Sequence, residues 1–265
     1  MAFRRNLALA GVGAAALAAA GVALYRRFGP DTYKRFDTLF GQAKVYQVED
    51  DDGAPVRLLS VGGIVQSGTY VDDERCWDLV FEYLKRYDVM FERGIPRNRV
   101  LVMGCGGYDY PEHLIAHHPE VVVDAVEIDP AITAIARRYF FLDRLIEEFE
   151  TEQTGKLNLI CADARAYLDE TDQLYGAIVN DTFDAGTPAP SLVTGDAAQA
   201  ICDHLVPGGL YLTNIVSAVE GPQAAFLDSQ VKVLGEVFER VDVLPCNPET
   251  LDSTDNVIVV AQRAE

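Results

Sequence analysis

The chain has 265 residues, 49% of them hydrophobic, and a formal net charge of −19. That apolar content excludes disorder over most of the length, and the length suits one α/β domain with a short appendage. The acidic balance argues against a nucleic-acid partner, which needs clustered lysine and arginine, and favours a cationic ligand.

Near the amino terminus, Leu7 to Tyr25 is an uncharged run of apolar and small residues between Arg4-Arg5 and Arg26-Arg27. It is long enough to span a bilayer as a helix, so residues 1–30 are read as a membrane anchor or signal segment. Basic residues on both flanks favour an uncleaved anchor. The excess downstream (Arg26, Arg27, Lys34, Arg35) places the large domain in the cytoplasm by the positive-inside tendency. The five cysteines (Cys76, Cys105, Cys161, Cys202, Cys246) are odd in number and contain no CxxC, so neither a disulfide framework nor a zinc site is expected. They agree with a reducing compartment, and no metal is expected.

Residues 31–94 read as a linker, a small β unit and a helix. The linker covers 28–48. β-like runs at Lys44 to Val48 and Val56 to Val61 flank a turn at Glu49 to Gly53, and a further strand spans Gly62 to Gly68. Trp77 to Phe91 carries apolar residues at helical spacing, Tyr83 among them. Residues 95–265 then alternate strand and helix. Strands are predicted at Arg99 to Met103, Val121 to Val126, Leu157 to Cys161, Gly176 to Asn180 and Leu210 to Ile215. Two more follow at Val241 to Pro245 and Asn256 to Ala261. The intervening helices are Pro111 to His118, Ala131 to Phe140, one through Tyr167 and Leu168, Asp196 to Leu205 and Ala224 to Phe238. This alternation predicts an α/β fold with a mostly parallel sheet and helices on both faces. Such sheets bind ligands beyond the carboxyl ends of their strands.

Candidate site residues fall at those ends. Gly104-Cys105-Gly106-Gly107 follows the first strand, where glycine lets the backbone turn sharply and approach a ligand. Glu127 ends the second strand, at a distance that suits an acid binding ribose hydroxyls; Asp129, before Pro130, suits a helix cap. Asp163 ends the third strand, where it serves either an adenine amino group or the next helix as its cap. Asp181 and Asp184 straddle the end of the fourth, and such acids can hold a cationic amine and take its proton.

With these motifs in view, the stretch from about Leu58 to Ala261 resembles the spermidine synthase (polyamine aminopropyltransferase) family, especially its membrane-associated bacterial branch. The resemblance rests on Gly63-Ile64-Val65-Gln66, Val100 to Gly107, Val126 to Pro130, Ala162-Asp163-Ala164-Arg165 and Asp181-Thr182-Phe183-Asp184 with the proline-rich loop after it. The Leu205-Val206-Pro207-Gly208-Gly209 turn also fits, but is common to most S-adenosylmethionine-dependent transferases. It implies a Rossmann-like S-adenosylmethionine-transferase fold and a place in polyamine biosynthesis. Decarboxylated S-adenosylmethionine or S-adenosylmethionine would be co-substrate, and a cationic amine such as putrescine the acceptor. By the same resemblance Gln66, Gly104, Gly106 and Gly107 would line the co-substrate, Glu127 would hold the ribose, and Asp163 with Ala164 the adenine. Asp181 would be the catalytic base, and Asp184 would help to bind the amine. Two departures stand out. The family's acid after the third glycine is here Gly107, with Asp109 near as a second substrate-binding candidate; a Tyr-His or Tyr-Gln pair is replaced by Cys76-Trp77. A homo-oligomer is expected as a possible partner state; the alternatives in function are a methyltransferase on the same fold, a non-catalytic membrane-anchored domain acting as a binding or assembly partner, and a nicotinamide dehydrogenase, which the glycine spacing disfavours.

Overall fold

The computed structural model describes residues 33–92, 98–184 and 187–265. The expected membrane segment at residues 7–25 lies outside them; among the described residues no helix is long and apolar enough to cross a membrane.

The described residues begin with a four-stranded antiparallel sheet of β1 (Lys34–Thr38), β2 (Gly41–Glu49), β3 (Pro55–Val61) and β4 (Ile64–Tyr70), in that order. The expected linker over residues 28–48 is thus corrected where it is described: Lys34 onward is hairpin, with Thr38 paired to Gly41. Lys44 to Val48 was already read as β-like, whereas β1 (KRFDT) and the first residues of β2 are largely polar and exposed, which masked them as loop. Gly62 and Gly63, both at positive φ (59° and 91°), make the tight connection between β3 and β4, a backbone that side chains resist.

The predicted helix over Trp77 to Phe91 is broken. Only α1 (Glu82–Arg86) and α2 (Val89–Glu92) are helical. Leu79 makes an isolated bridge to Thr69, and Phe81 is extended (φ −90°, ψ 134°), so pairing with β4 overrides the periodicity.

The main sheet contains β5 (Arg99–Met103), β6 (Val122–Glu127), β7 (Leu157–Cys161), β8 (Tyr175–Asn180), β11 (Leu205–Ser217), β12 (Arg240–Pro245) and β13 (Asp255–Gln262). Their spatial order is β12-β13-β11-β8-β5-β6-β7. β5 to β8 and β11 run parallel, while β13 is antiparallel to both its neighbours. β11 continues back through Pro207 to Leu205, with a register shift before Leu210, where the sequence suggested only a turn. A short hairpin of β9 (Phe183–Asp184) and β10 (Thr187–Pro188) follows β8.

Consecutive residues on a strand point to opposite faces, and the two halves of the core divide accordingly. On one face, Val100, Val102, Ala125 and Val179 pack with α3 (Asp109–His117), α4 (Pro130–Tyr139) and α5 (Leu142–Glu148). Ala43, Val45, Leu59 and Val61 join the same cluster, so the small sheet shares a core with the large one. On the other face, Leu101, Met103, Val126 and Ile178 pack with α7 (Ala164–Glu170), α8 (Gly195–Asp203) and α9 (Ala225–Gly235). α5 and the short α6 (Thr151–Thr154) lie where no helix was predicted. Pro130 occupies the first turn of α4, and Asp129 caps it by accepting from the Ala131 amide.

Asp124 sits in the middle of β6 at 1% exposure. It accepts from Arg99 Nε and Nη2 (2.9 and 2.8 Å), Asn158 Nδ2 (2.7 Å) and Tyr175 Oη (2.9 Å). One carboxylate therefore laces β5, β6, β7 and β8 together. Asp124→Ala strands three donors at once. It is expected to cost about 3 kcal/mol of stability, the low end for breaking a buried ion pair because Arg99 can partly rehydrate; a urea midpoint unchanged from wild type would refute this.

Candidate active site

At the carboxyl edge of the sheet three strand ends are tied by backbone. The Gly104 amide donates to the Val126 carbonyl and the Asp181 amide to that of Met103, each at 2.9 Å. Gly104 has φ +78°, and a Cβ there would lie 2.6 Å from the Asp181 carbonyl oxygen. Only glycine can occupy this crossing.

Glu127, 7% exposed, organises the turn. Its Oε2 accepts from the amides of Cys105 (3.0 Å) and Gly106 (3.2 Å), and its Oε1 from Asp129 (3.0 Å). Burial raises its pKa, and the three amides partly restore it. Oε1 keeps a lone-pair direction for a further donor. Asp129 Oδ2 also accepts from the Leu39 amide at 2.7 Å, tying the first hairpin to this edge.

β4 forms the adjoining wall. Leu59 pairs with Ser67 but Ser60 with Val65, so Gln66 is the extra residue of a bulge. Bulges re-aim side chains next to sites. Ser67 Oγ accepts from the Gly107 amide at 2.6 Å, and Asp109 Oδ2 accepts from the Gly68 amide at 2.9 Å. A Cβ on Gly107 would lie 2.8 Å from Ser67 Cβ, 2.9 Å from Asp109 Oδ1 and 3.0 Å from Phe140 Cδ1. No side chain fits at 107, and Asp109 fills the space beside it. Among the described residues Asp109 Oδ1 is buried without a hydrogen-bond partner, as is Glu112 Oε1 one turn along α3.

Asp181 follows β8. Its Oδ2 accepts from Tyr83 Oη (3.1 Å) and its Oδ1 from Asn214 Nδ2 (2.9 Å). Enclosure in protein pushes its carboxyl up from 3.8 to about 6, against the lowering effect of those two donors. Burial pushes Asp109 up from 3.8 to about 7; the Gly68 amide and Ser67 oppose the shift, and the Asp181 charge adds to it. Glu112 is raised well above the usual carboxylate range, by burial first and then by Asp109.

The structure thus brings Gln66, Gly104, Gly106, Gly107, Asp109, Glu127 and Asp181 around one edge. Asp163 is exposed and caps α7, its Oδ1 accepting from the Ala166 amide at 2.9 Å, while Ala164 is buried in the first turn. Asp184 lies in β9, opposite Thr187. Cys76 and Trp77 serve packing: Trp77 meets Phe141 and Phe149 edge-on. Ser67, Tyr83 and Asn214 were missed by sequence reasoning. Ser67 directly follows Gln66 in a stretch already singled out, and Asn214 is a polar residue within an apolar strand. Tyr83 was counted only as part of an apolar helix face.

Three comparisons bear on this site. A human eEF1A lysine and N-terminal methyltransferase is 28% identical over 189 residues, a match covering 63% of this chain but 25% of that protein. A polyamine aminopropyltransferase of Chromobacterium violaceum is 28% identical over 201 residues, covering 75% of this chain and 71% of the relative. The crystal structure of a probable spermidine synthase from Corynebacterium glutamicum superposes with a TM-score of 0.70 at 19% identity, over 86% of this chain and 79% of that one, and shows the same fold. The sequence profile of the spermine/spermidine synthase domain matches residues 81–261, well over half of the chain, and the chain therefore belongs to that family.

Proposed function

We propose that the chain transfers an aminopropyl group from decarboxylated S-adenosylmethionine to a diamine such as putrescine. The reading is carried by Asp109: a buried carboxylate oxygen without a partner, 2.9 Å from where a side chain on Gly107 would begin. A buried acceptor of this kind asks for a donor, and the ammonium of an aminopropyl group supplies one. In this reading Glu127 holds the ribose through its free lone pair. Asp163 and Ala164 border the adenine, and the bulged Gln66 with Gly104, Gly106 and Gly107 lines the sulfonium chain. Asp184 holds the far ammonium of the acceptor.

The donor supplies a carbon activated by its positively charged sulfur. The protein aligns the attacking nitrogen and takes its proton. Asp181 suits that task, since Tyr83 and Asn214 fix its carboxylate and its raised pKa brings it nearer to neutrality than a free aspartate. As nitrogen bonds to carbon, the carbon–sulfur bond breaks, a neutral thioether leaves and one proton passes to Asp181.

A second reading is methyl transfer from intact S-adenosylmethionine, favoured by the human relative, which is named for methylating lysine and N-terminal amines. Asp181 would serve an amine acceptor equally well. The co-substrate discriminates, because an ionised Asp109 attracts the ammonium of either form but repels the carboxylate that only the intact form carries. Calorimetry is expected to show tighter binding of the decarboxylated form, with the preference reduced in Asp109→Asn. Preference for the intact form would make methyl transfer the function, and binding of neither would leave a non-catalytic domain.

Both acids titrate higher in the folded protein than in the unfolded chain. The native state therefore holds more protons between about pH 4 and 7, and this contribution to stability is lost as pH rises through about 6 and then 7. The ligand-free protein is expected to melt lower at pH 8 than at pH 5.5. In contrast, kcat/KM is expected to rise over the same interval as Asp181 ionises. Asp181→Asn should lower kcat by on the order of 10²–10⁴ while leaving nucleoside binding intact; a flat pH profile or near-normal turnover removes Asp181 as the base.

We also read residues 7–25 as an anchor holding this domain on the cytoplasmic face. Alkaline extraction of membranes should leave the full chain in the pellet, and its release would overturn the anchor.

A further inference from the structure

Three of the four histidines of the chain, His113, His117 and His118, stand on or just beyond the last turn of α3. Asp88, in the turn between α1 and α2, faces them. We propose that Asp88, His113 and His118 form a binding site for a divalent transition metal, zinc foremost, that clasps the Asp88 turn to the end of α3.

Each of the three residues offers a ligand atom, and these atoms lie within 4.8 Å of one another. Zinc bonds of about 2.0–2.2 Å hold tetrahedral ligands roughly 3.4 Å apart, so small side-chain rotations close the set and leave a fourth position for water. The proton inventory of His113 supports a cation. Its Nδ1 lies 3.3 Å from the Trp77 carbonyl, an acceptor only, and its Nε2 lies 3.0 Å from Asp88 Oδ2. A neutral imidazole has one N–H for these two acceptors. With Nδ1–H directed at the Trp77 carbonyl, Nε2 presents its lone pair beside the Asp88 carboxylate oxygen, as two ligand atoms around a cation would stand.

The surroundings favour the metal. The Trp77 carbonyl is the outer-sphere acceptor that a ligating histidine commonly uses to fix its tautomer, and Tyr110 Oη donates to Asp88 Oδ1 at 3.0 Å, orienting the carboxylate. His118 stacks on Phe91 at 3.7 Å and 7°, and its Nδ1 lies 3.8 Å from Glu120 Oε1. The ligands are histidine and aspartate 25 residues or more apart, so the cysteine spacing that argued against zinc carried no information about them. The clasp bears on the active site from both sides, since α1 carries Tyr83 and α3 begins with Asp109.

The test uses the untagged full chain, stripped of metal by chelator. Cobalt(II) titration followed in the visible, with zinc competition, is expected to show one saturable equivalent. Asp88→Asn and His118→Gln should each weaken it by at least ~10-fold. X-ray absorption of the zinc-loaded wild type, which needs no variant to fold, should show two imidazole ligands and oxygen donors. No saturable binding, affinity unchanged in both variants, or a zinc shell with sulfur or fewer than two imidazoles would overturn the site.

Discussion

The candidate site depends on one close approach, the crossing of Gly104 over the backbone of Asp181. The two residues end adjacent parallel strands, and no Cβ fits between them. Because the chain passes itself so tightly there, the first loop turns back over the sheet edge and presents its amides to Glu127. The same crossing holds Asp181 beside that turn, where Asn214 reaches it from the neighbouring strand β11.

From that crossing outward, two acids receive different settings. Asp181 is gripped at both oxygens by neutral donors, which favours its charged form and leaves its pKa modestly raised. Asp109 is gripped at one oxygen only and lies deeper, so it sits nearer neutrality. Unequal environments for neighbouring carboxylates separate their roles. In the proposed reaction they suit a proton acceptor and a holder of positive charge. Gly107 belongs to the same design, because an acid attached there would collide with Ser67 and Phe140, and α3 supplies one from two residues further on.

How much of this was legible in the sequence follows from the physics of each segment. The central strands β5, β6 and β8 are covered on both faces and so read as short apolar runs closed by glycine or acid. Glu127 and Asp181 were singled out because strand ends are where such sheets place ligands. In the small sheet β1 and the start of β2 are largely polar and exposed and passed for linker. Over Trp77 to Phe91 a helical period was present, but Leu79 pairs with Thr69 and the chain stays extended through Phe81. Asp163 illustrates a residue whose two readings were both open. The structure shows its capping bond, made through one of its two oxygens. Tyr83 was beyond reach because its partner lies 98 residues away and it read as one of an apolar helix face; Ser67, whose partner lies 40 residues away, was marked only by its place beside Gln66.

Those separations bear on how the protein reaches its native state. The bonds that complete the pocket, Ser67 to Gly107, Gly68 to Asp109 and Tyr83 to Asp181, join segments distant along the chain, whereas the hairpins of the small sheet close over a few residues. Closing long loops is entropically costly and slow. On that ground the pocket is expected to form late, when the small sheet docks on the large one. An intermediate with both sheets formed but undocked would keep most of its secondary structure and yet have no place to bind a nucleoside.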